Sequence, residues 1–407
     1  MAEPVYVAGV GMTRFGVHAG RTVTGLTREA VTEALGDAGL ELGDIDCAFF
    51  GNTTQGALEG QLMIGGQVAL REIGLQRIPV VNVENACATG STALHLAISQ
   101  VRAGSSDVAL AVGAEKMNVG DRDRTMRVFD GAYDVAHPER LEQLLAELGG
   151  EVDTSGAGQR SIFMDIYAAW ARAHMKAFGT TAEQIAAVSS KNHGHAVHNE
   201  RAHYRSEMSV AEILAARPLA YPLTVPMCAP VTDGAAAVIV CSASALRRLA
   251  PRSPVKVLAS VVGTGSDRPL DDYERHITRQ AGLRAYEQAG ISPDDVSVAE
   301  VHDATAFAEI LLSEMLGLCP PGAGGQAAEA GETTIGGRIP INPSGGLESK
   351  GHPLGATGLG QVHELVLQLR GEAAVRQVDG ARIAIAENGG GFYGGEEAVA
   401  VITMLGA

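Results

Sequence analysis

The chain of 407 residues carries two copies of one unit, and this duplication constrains its fold more than any other feature. The apolar segment 45–50, with an aspartate just before it, recurs as segment 296–301. Segment 87–102 recurs as segment 355–370, with Ala, Thr, Gly, His, Gln and Arg at identical spacings. A chain built from two copies of one unit is expected to fold into two similar halves that pack together.

Both copies alternate short segments rich in Val, Ile and Ala with segments long enough to form helices. This alternation predicts an α/β fold of two β-α-β-α-β-β halves, in which helices cover mixed sheets. A content of 51 glycines supports many tight turns and close backbone approaches. The predicted strands are 45–50, 78–83, 107–114, 235–240, 296–301, 381–386 and 398–402.

Segment 117–225 interrupts the first copy and has no counterpart in the second. We therefore divide the chain into an N-terminal half, an inserted loop domain and a C-terminal half. The N-terminal half comprises residues 1–116 with 226–250, and the C-terminal half comprises residues 251–407. An excursion as long as the inserted segment usually serves a function, so we expect it to form the mouth of a substrate site.

The inserted segment is polar and rich in histidine and arginine. No cysteine or carboxylate stands beside its histidines at metal-ligand spacing, so we expect a solvated helix end and loop, and we assign no metal. The residues concerned are His193, His195, His198, Arg201 and His203.

The composition of the chain argues against several classes of function. The formal net charge is -16 and aromatic residues make up 4%, so the basic, base-stacking surface of a nucleic-acid-binding protein is not expected. The N-terminus lacks the pattern of a signal peptide, and no apolar stretch reaches the ~18 residues of a membrane span. We therefore expect a cytoplasmic protein with no membrane span.

Cysteine usage agrees with a reducing compartment. The chain has five cysteines, an odd number with no Cys-x-x-Cys pair, which argues against a disulfide framework or a structural zinc site. Four of them are expected to be small buried apolar residues. These four are Cys47, Cys228, Cys241 and Cys319.

Cys87 is the first candidate for chemistry. It lies between an apolar strand and a helix that begins with Ala-Thr-Gly, so its sulfur is expected to meet the positive end of the helix dipole, which lowers the pKa of a thiol. A thiolate is the nucleophile that thioester chemistry needs, and the Cys87 amide at the helix start can donate to an oxyanion. The alternative is a small buried residue at a strand–helix junction.

His352 is the second candidate, because a glycine-rich stretch delivers it to the start of the second copy's helix. The stretch comprises segments 342–346 (Asn-Pro-Ser-Gly-Gly) and 351–358 (Gly-His-Pro-Leu-Gly-Ala-Thr-Gly). Since this helix duplicates the one after Cys87, the two helix starts should face each other across a pseudo-twofold axis. His352 would then reach Cys87 and accept its thiol proton.

These motifs resemble those of the thiolase superfamily over nearly the whole chain. The resemblance is carried by Val-Asn at 81–82, by Cys-Ala-Thr-Gly at 87–90 and by segment 351–358. A second set resembles the sterol-carrier-protein-type thiolases, which carry His-Asp where other thiolases carry Asn-Glu. That set is Glu-Val-His-Asp-Ala at 300–304, with Glu309 and Leu-Gly-Leu-Cys-Pro at 316–320.

The resemblance implies a layered α-β-α-β-α core and assigns roles to three residues. Cys87 is implied to be the nucleophile that accepts the acyl group, and His352 its base. His302 is implied to help hold the thioester oxygen of the second substrate. A histidine at the end of a strand is also compatible with a structural role alone.

The chain departs from the thiolase pattern near its C-terminus, where thiolases usually place a second catalytic cysteine in a Cys-x-Gly-Gly-Gly turn. Here the turn is Glu-Asn-Gly-Gly-Gly at 387–391. The amide of Gly389 is expected to complete an oxyanion hole with that of Cys87. Glu387 takes the place of the thiol, and a carboxylate with a raised pKa can remove an α-proton. Alternatively, Glu387 is structural, and either His302 is the base or condensation has been lost.

The resemblance implies an acetyl-CoA acetyltransferase type of acyltransferase in lipid metabolism, which forms or cleaves a carbon–carbon bond next to a thioester through a Cys87 acyl-enzyme. Coenzyme A thioesters would be substrates, with no permanently bound cofactor. The alternatives are a ketosynthase-like acyltransferase to a carrier protein or small molecule, and a non-catalytic thiolase-like subunit. A retro-aldolase of the superfamily would be expected to lack the Cys and His. The resemblance also implies a homodimer or dimer of dimers, and raises a DUF35-type OB-fold, zinc-ribbon protein as a partner.

Overall fold

The computed structural model describes residues 3–148 and 160–407. The strands are β1 (Val5–Met12), β2 (Cys47–Gly51), β3 (Val80–Val83), β4 (Val108–Glu115), β5 (Pro218–Ala220), β6 (Leu223–Thr224), β7 (Gly234–Ser242), β8 (Val255–Thr264), β9 (Val298–Glu300), β10 (Ile383–Gly390) and β11 (Val399–Gly406). The helices are α1 (Val23–Ala38), α2 (Gln55–Glu59), α3 (Gly65–Glu72), α4 (Thr89–Arg102), α5 (Arg122–Arg127), α6 (Pro138–Glu147), α7 (Ile162–Phe178), α8 (Ala182–Ala196), α9 (Val210–Ala215), α10 (Ala243–Leu249), α11 (Ile277–Ala289), α12 (Ala306–Met315), α13 (Gly324–Glu329), α14 (Gly346–Lys350) and α15 (Thr357–Arg370).

One mixed sheet contains nine strands in the order β3-β2-β4-β7-β1-β8-β11-β10-β9. The first strands of the two copies, β1 and β8, pair antiparallel at its centre. Going outward, the pairings are antiparallel, antiparallel and parallel in each half. Beyond them, β3 pairs parallel with β2, and Ile341 forms a parallel bridge to Ala299 at the equivalent place. The predicted duplication is confirmed.

Helices α4 and α15 lie side by side between the two halves of the sheet, and each packs on strands of both. Alternation along β7 places Ala236 and Val238 toward these central helices, whereas Ala237 and Ile239 face α1 on the other side. Helix α11 covers β8 and β11 in the second half. These strands are apolar on both faces because helices cover both faces of the sheet. The predicted five layers, α-β-α-β-α, are confirmed.

The starts of α4 and α15 meet closely because the contact residues are small. A Cβ at Gly113 would lie 1.8 Å from the carbonyl oxygen of Gly355, and one at Gly90 would lie 2.7 Å from it. The buried carboxylate of Glu115, at the end of β4, accepts a hydrogen bond from the Gly355 amide at 2.9 Å. The two copies are therefore joined where the candidate residues lie.

The segment between β4 and β7 contains α5 to α9 and the β5–β6 hairpin. Of the predicted inserted domain 117–225, residues 149–159 lie outside the described residues, and its boundaries stay a prediction. Helix α8 packs against α12, α13 and α14 of the second half. None of the helices within the described ranges is long and apolar enough to cross a membrane.

The expectation of a solvated helix end is wrong for two of the histidines in this segment. His193 and His195 are buried in α8, where they hydrogen-bond the carbonyl oxygens of Pro226 and Asn342 at 3.2 and 3.0 Å. Helix α8 packs against helices of the second half and also against the turn at Val225–Met227, and this packing buries the two rings. The cysteine prediction is confirmed, since Cys47, Cys228, Cys241 and Cys319 are buried with free thiols.

Candidate active site

A cavity of about 360 Å³ lies beside the turns that precede α4 and α15. One wall is formed by Cys87, His302 and His352. Much of the remaining wall comes from the segment between β4 and β7, and its apolar and aromatic residues include Met117, Met126, Phe129, Phe163, Met164, Tyr167 and Leu219. Polar and basic residues also line the cavity, namely Asn118, Arg122, Arg160, His203 and Arg217.

The structure brings together three residues that are far apart in the chain. The sulfur of Cys87 and a ring nitrogen of each of His302 and His352 all lie within 4.8 Å of one another. The Nε2 atoms of the two histidines are 3.5 Å apart. In the described ranges, no other group of three or more His, Cys, Asp or Glu residues is close enough to share a metal ion. That the cluster binds no metal stays a prediction.

The hydrogen bonds of His352 determine which of its nitrogens carries the proton. The Thr357 hydroxyl lies 3.1 Å from the Pro353 carbonyl oxygen and 2.7 Å from Nδ1 of His352. We assign its proton to the carbonyl, so that its oxygen accepts from Nδ1–H of His352. Nε2 therefore carries the lone pair, and this is the nitrogen that faces His302. His352 is held as a base with its free nitrogen on the side of the cluster.

The thiol of Cys87 is protonated in the resting protein, contrary to the expectation from the helix dipole. Burial, with the charge of Glu115 adding to it, raises the pKa of Cys87 to about 12. The backbone amides of Gly391 and of Cys87 itself donate toward the sulfur and oppose this rise. Desolvation outweighs the amides, so the sulfur becomes a nucleophile only when a base takes its proton.

Both histidines of the cluster are neutral at pH 7. Burial, with the adjacent His302, lowers the pKa of His352 well below its usual range. Burial also lowers the pKa of His302 to about 4. Two neutral imidazoles beside a thiol can accept or pass a proton.

Two sequence-predicted residues lie behind the cavity wall and not in it. Glu387 is fully buried in β10, where its carboxylate accepts a hydrogen bond from the His302 backbone amide at 3.0 Å. Burial, with the adjacent Glu397, raises the pKa of Glu387 to about 8. Gly389 lies in the same strand opposite Ala400, whereas Gly391 lines the cavity.

The motif residues around His302 anchor the loop that carries His352. Glu300 accepts hydrogen bonds from the Ser344 hydroxyl at 2.7 Å and from Lys350 at 3.0 Å. Asp303 accepts from the Leu347 amide at 2.8 Å. A Cβ at Gly346 would lie 2.0 Å from the Asp303 carboxylate, which explains the glycine there.

Several residues of the site are missed by the sequence analysis. Thr357 lies in the motif at 351–358, but nothing in the sequence indicates that it orients His352. Tyr167 is buried and lines the cavity from α7, which carries no motif. Cys228, correctly predicted to be buried, also lines the cavity. Glu397 is buried near Glu387, and the available signal was two adjacent glutamates before an apolar strand.

Nearly the whole chain matches known families and relatives. Residues 5–213 match the family "Thiolase, N-terminal domain", and residues 263–403 match "Thiolase C-terminal domain-like". The acetyl-CoA acetyltransferase of Methanothermobacter thermautotrophicus is 39% identical over 404 residues, covering 98% of this chain and 99% of that one. The benzoylsuccinyl-CoA thiolase subunit BbsB of Thauera aromatica is 35% identical, covering 96% of each.

Sterol carrier protein 2 of Oryctolagus cuniculus is 36% identical over 412 residues, which cover 98% of this chain and 72% of that protein. Among solved structures, a chain of an Ltp2–ChsH2(DUF35) aldolase shares the fold with a TM-score of 0.79 and 24% identity. That match covers 99% of this chain and 98% of the other. By its two domain matches and these relatives, the chain belongs to the thiolase family of acyltransferases.

Proposed function

We propose that this protein forms or cleaves a carbon–carbon bond next to a coenzyme A thioester, with the acyl group carried on Cys87. The observation that carries the proposal is the convergence of the Cys87 sulfur with two neutral imidazoles in one cavity. A thiol, a base and donors to an oxyanion are the components that acyl transfer needs.

In the acylation step, Nε2 of His352 accepts the thiol proton while the sulfur attacks the carbonyl carbon of the thioester. The tetrahedral intermediate then expels the thiolate of coenzyme A, which takes the proton from His352. Because the resting thiol has a pKa of about 12, the base has to act in the same step as the attack. The orientation of His352 by Thr357 supports this role.

We assign the oxyanion donors to the amides of Cys87 and Gly391. Both donate toward the Cys87 sulfur, so they are close to the carbonyl oxygen of an acyl group attached to it. Gly391 thus replaces Gly389, the partner expected from the sequence, because Gly389 lies within the sheet opposite Ala400.

In the carbon–carbon step, His302 would hold the thioester oxygen of the second substrate. In the resting protein the Nε2–H of His302 faces the lone pair on Nε2 of His352 at 3.5 Å. Because His302 also lines the cavity, a bound thioester oxygen would replace His352 as the acceptor of this N–H and leave the lone pair for the thiol. We propose that Glu387 acts through His302 and not on the substrate, because its carboxylate bonds the His302 amide behind the wall.

The lining supports an apolar acyl group on an anionic carrier. The rings of Phe129 and Phe163 meet edge to face in the wall of the cavity, with their centroids 6.4 Å apart. Methionines, which adapt to varied shapes, line the same cavity. Arg217 and His203, also in the lining, are suited to the phosphates of coenzyme A. A thioester with a short or medium apolar chain fits this arrangement.

Intact-mass spectrometry with acetyl-CoA tests the proposal. The parent protein should gain one acetyl group, mapped by peptide analysis to Cys87, and Cys87→Ser should gain none. Cys228→Ser is the matched control, since Cys228 lines the same cavity but should not carry the adduct. An adduct that persists in Cys87→Ser, or maps to Cys228, would refute the proposal.

Acyl transfer without condensation is the second candidate. It is favoured by the turn at 387–391, where no cysteine is present. Transfer of the Cys87 acetyl group to a carrier protein or small thiol, with no deuterium exchange at the α-carbon of acetyl-CoA in D₂O, would select it over the first proposal.

We propose that two copies of the chain associate through the edge strand β3. Within the described residues this strand pairs with β2 only, so its outer edge is open to strand addition. Helix α3 contacts β3, and the segment just before α3 carries exposed apolar side chains, with Leu62 78% and Met63 75% exposed. Light scattering should give a dimer or tetramer, and Leu62→Asp with Met63→Asp should shift it toward monomer. A monomeric parent at micromolar concentration would overturn this.

Two further expectations rest on other observations. The aldolase that shares the fold was solved with a DUF35 protein, and this supports a DUF35-type OB-fold, zinc-ribbon partner for the present chain. Co-purification of the two proteins after joint expression tests it. Five free thiols support a reducing compartment such as the cytoplasm, which fractionation would check.

A further inference from the structure

Two buried polar atoms behind the cavity wall have no hydrogen-bond partner among the described residues. They are Nδ1 of His302 and Oε2 of Glu397. His302 is 2% exposed and Glu397 is 3% exposed. Buried polar atoms are nearly always hydrogen-bonded, so unpartnered atoms this close to a reactive cluster require an explanation.

Gly389 shows that Glu397 and His302 share one space. A Cβ built on Gly389 would lie 3.1 Å from Nδ1 of His302, and 2.7 and 3.3 Å from Cγ and the carboxyl carbon of Glu397. The carboxyl group and the ring nitrogen therefore flank the position that a side chain at 389 would fill. Only a residue without a side chain leaves room for both.

The proton positions are complementary. Nε2 of His352 carries a lone pair, so His302 is the donor at its own Nε2, and its Nδ1 is left as an acceptor without a donor. A protonated Glu397 supplies such a donor. Burial, with the charge of Glu396 adding to it, raises the pKa of Glu397 to about 7, so much of it is the acid near neutral pH.

We propose that Glu397 is the positioning residue of His302, donating a hydrogen bond to Nδ1 directly or through one water in the space above Gly389. The part that His302 plays in carbon–carbon chemistry rests on the function proposed above. The bond fixes the tautomer whose Nε2–H faces the cavity.

The same bond allows a balanced proton shift. As negative charge develops on the thioester oxygen, Nε2–H of His302 breaks and an O–H bond forms on that oxygen. The O–H bond of Glu397 breaks in turn and Nδ1–H forms, so the charge ends on the Glu397 carboxylate. The reverse shift restores the resting state.

The neighbours of Glu397 leave this role to it. His276 Nε2 lies 3.9 Å from Oε2 of Glu397, but burial lowers the pKa of His276 to about 3, so it is neutral and forms no ion pair. Arg268, whose charge favours the ionised form of Glu397, is bonded to Glu396 at 2.7 Å. Glu387, whose pKa is also raised, is bonded to the His302 amide.

The test uses Glu397→Met and Glu397→Gln, read by ¹⁵N NMR of the histidine rings and by α-deuterium exchange of acetyl-CoA. Loss of the donor in Glu397→Met should remove the fixed tautomer of His302, with Nδ1 becoming partly protonated. The Gln amide still donates, so Glu397→Gln should keep the tautomer. Both variants should slow exchange by about 10² to 10⁴, the contribution of a positioned acid or base.

Glu314→Gln is the matched control, because it removes a buried carboxyl from a different histidine, His174, at 3.0 Å. It should leave the His302 tautomer and the exchange rate unchanged. An unchanged tautomer in Glu397→Met, or exchange at the parent rate in Glu397→Gln, would overturn the proposal. If Glu397→Met does not fold, the exchange rate of Glu397→Gln still decides.

The two proposals fail in different ways. The tautomer of His302 is measured in the resting protein without substrate, so it reports on Glu397 whether or not Cys87 is acylated. An absent Cys87 adduct in the parent protein would remove the proposed function and leave the Glu397–His302 bond to be judged on the NMR result alone.

Discussion

The two helix starts at the centre of the molecule descend from one motif and carry different chemistry. Cys87 precedes Ala-Thr-Gly in the first copy, and Gly355 stands at the equivalent place in the second. His352 comes three residues before Gly355, where the first copy has the exposed Glu84. One copy thus supplies the thiol and the other supplies the base.

The shared threonine illustrates the divergence best. In the first copy the hydroxyl of Thr89 accepts from the Asn85 backbone amide at 2.8 Å and closes the turn that carries Cys87. In the second copy Thr357 accepts from the ring of His352 at 2.7 Å. The duplicated fold brings the two turns together, and single substitutions within them decide what each turn contributes.

Removing the thiol has the largest expected effect and tests the difference between the two helix starts. Cys87→Ala should abolish acetylation by acetyl-CoA, because the acyl group has no other acceptor in the cluster. Adding Gly355→Cys to that variant should not restore it, since a Cβ at 355 would lie 3.0 Å from both the Glu115 carboxylate and the Gly51 carbonyl oxygen. Intact mass measures both. An adduct on residue 355 would mean that the two helix starts are interchangeable.

Removing the base has the next largest expected effect. His352→Ala should slow acetylation of Cys87 by about 10² to 10⁴, the usual contribution of a positioned base. In the parent, the rate should be level from pH 7 to 9, because His352 is already neutral and the Cys87 pKa is about 12. Rapid-quench mass spectrometry measures the rate. A tenfold rise per pH unit there would indicate a free thiolate acting without the base.

The paired threonines provide a smaller and more selective effect. Thr357→Val removes the acceptor of Nδ1 of His352, and a hydrogen bond of ~1 kcal/mol corresponds to roughly a five- to tenfold slower acetylation. Thr357→Ser should restore the rate. Thr89→Val should lower the melting temperature while changing the rate less than threefold. Equal slowing by both valine variants would contradict the distinct roles of the two turns.

Much of the arrangement could be predicted from sequence because it follows from the duplication. Two copies of a strand–helix unit imply a pseudo-twofold axis, and the axis brings segment 87–90 close to segment 355–358. Seven strands of the large sheet were predicted, with ends that differ by a few residues, because they are short and apolar. The two central strands, β1 and β8, were not among the predicted strands. The meeting of Cys87 with His352 needs no further information.

Properties that depend on three-dimensional burial could not be predicted in the same way. A helix start lowers the pKa of an exposed thiol, but desolvation at Cys87 outweighs it, and the extent of desolvation depends on packing around the cavity. The burial of His193 and His195 has the same origin, since it depends on segments distant in the chain, with partners at Pro226 and Asn342. Polar residue type alone does not reveal such burial.

Register along β10 was a further limit. The motif predicted Gly389 as the oxyanion donor and Glu387 as a group beside the substrate. Residues two apart in a strand share a face, so alternation does not separate Gly389 from Gly391. The strand ends at Gly390, so Gly389 is paired in the sheet opposite Ala400, whereas Gly391 lies beyond the strand and lines the cavity. The glycine pattern identifies the turn but does not indicate where the strand ends.

Glu387 offers the smallest expected effect on acylation, and it distinguishes support behind the wall from chemistry in the cavity. Its pKa of about 8, against about 4.5 in the unfolded chain, means that the folded state binds more protons between these values. Glu387 therefore contributes stability that is lost as pH rises from 5 to 8, so Glu387→Gln should make the slope of stability against pH more positive over that range, while acetylation of Cys87 changes less than twofold. Denaturant unfolding at several pH values measures this.

Glu183→Gln is the control, because Glu183 is a surface carboxylate at the start of α8. It should leave the slope between pH 5 and 8 unchanged. A Glu387→Gln protein with the parent's slope would mean that the carboxyl is already ionised in the fold, and a large loss of acetylation would place it in the first step.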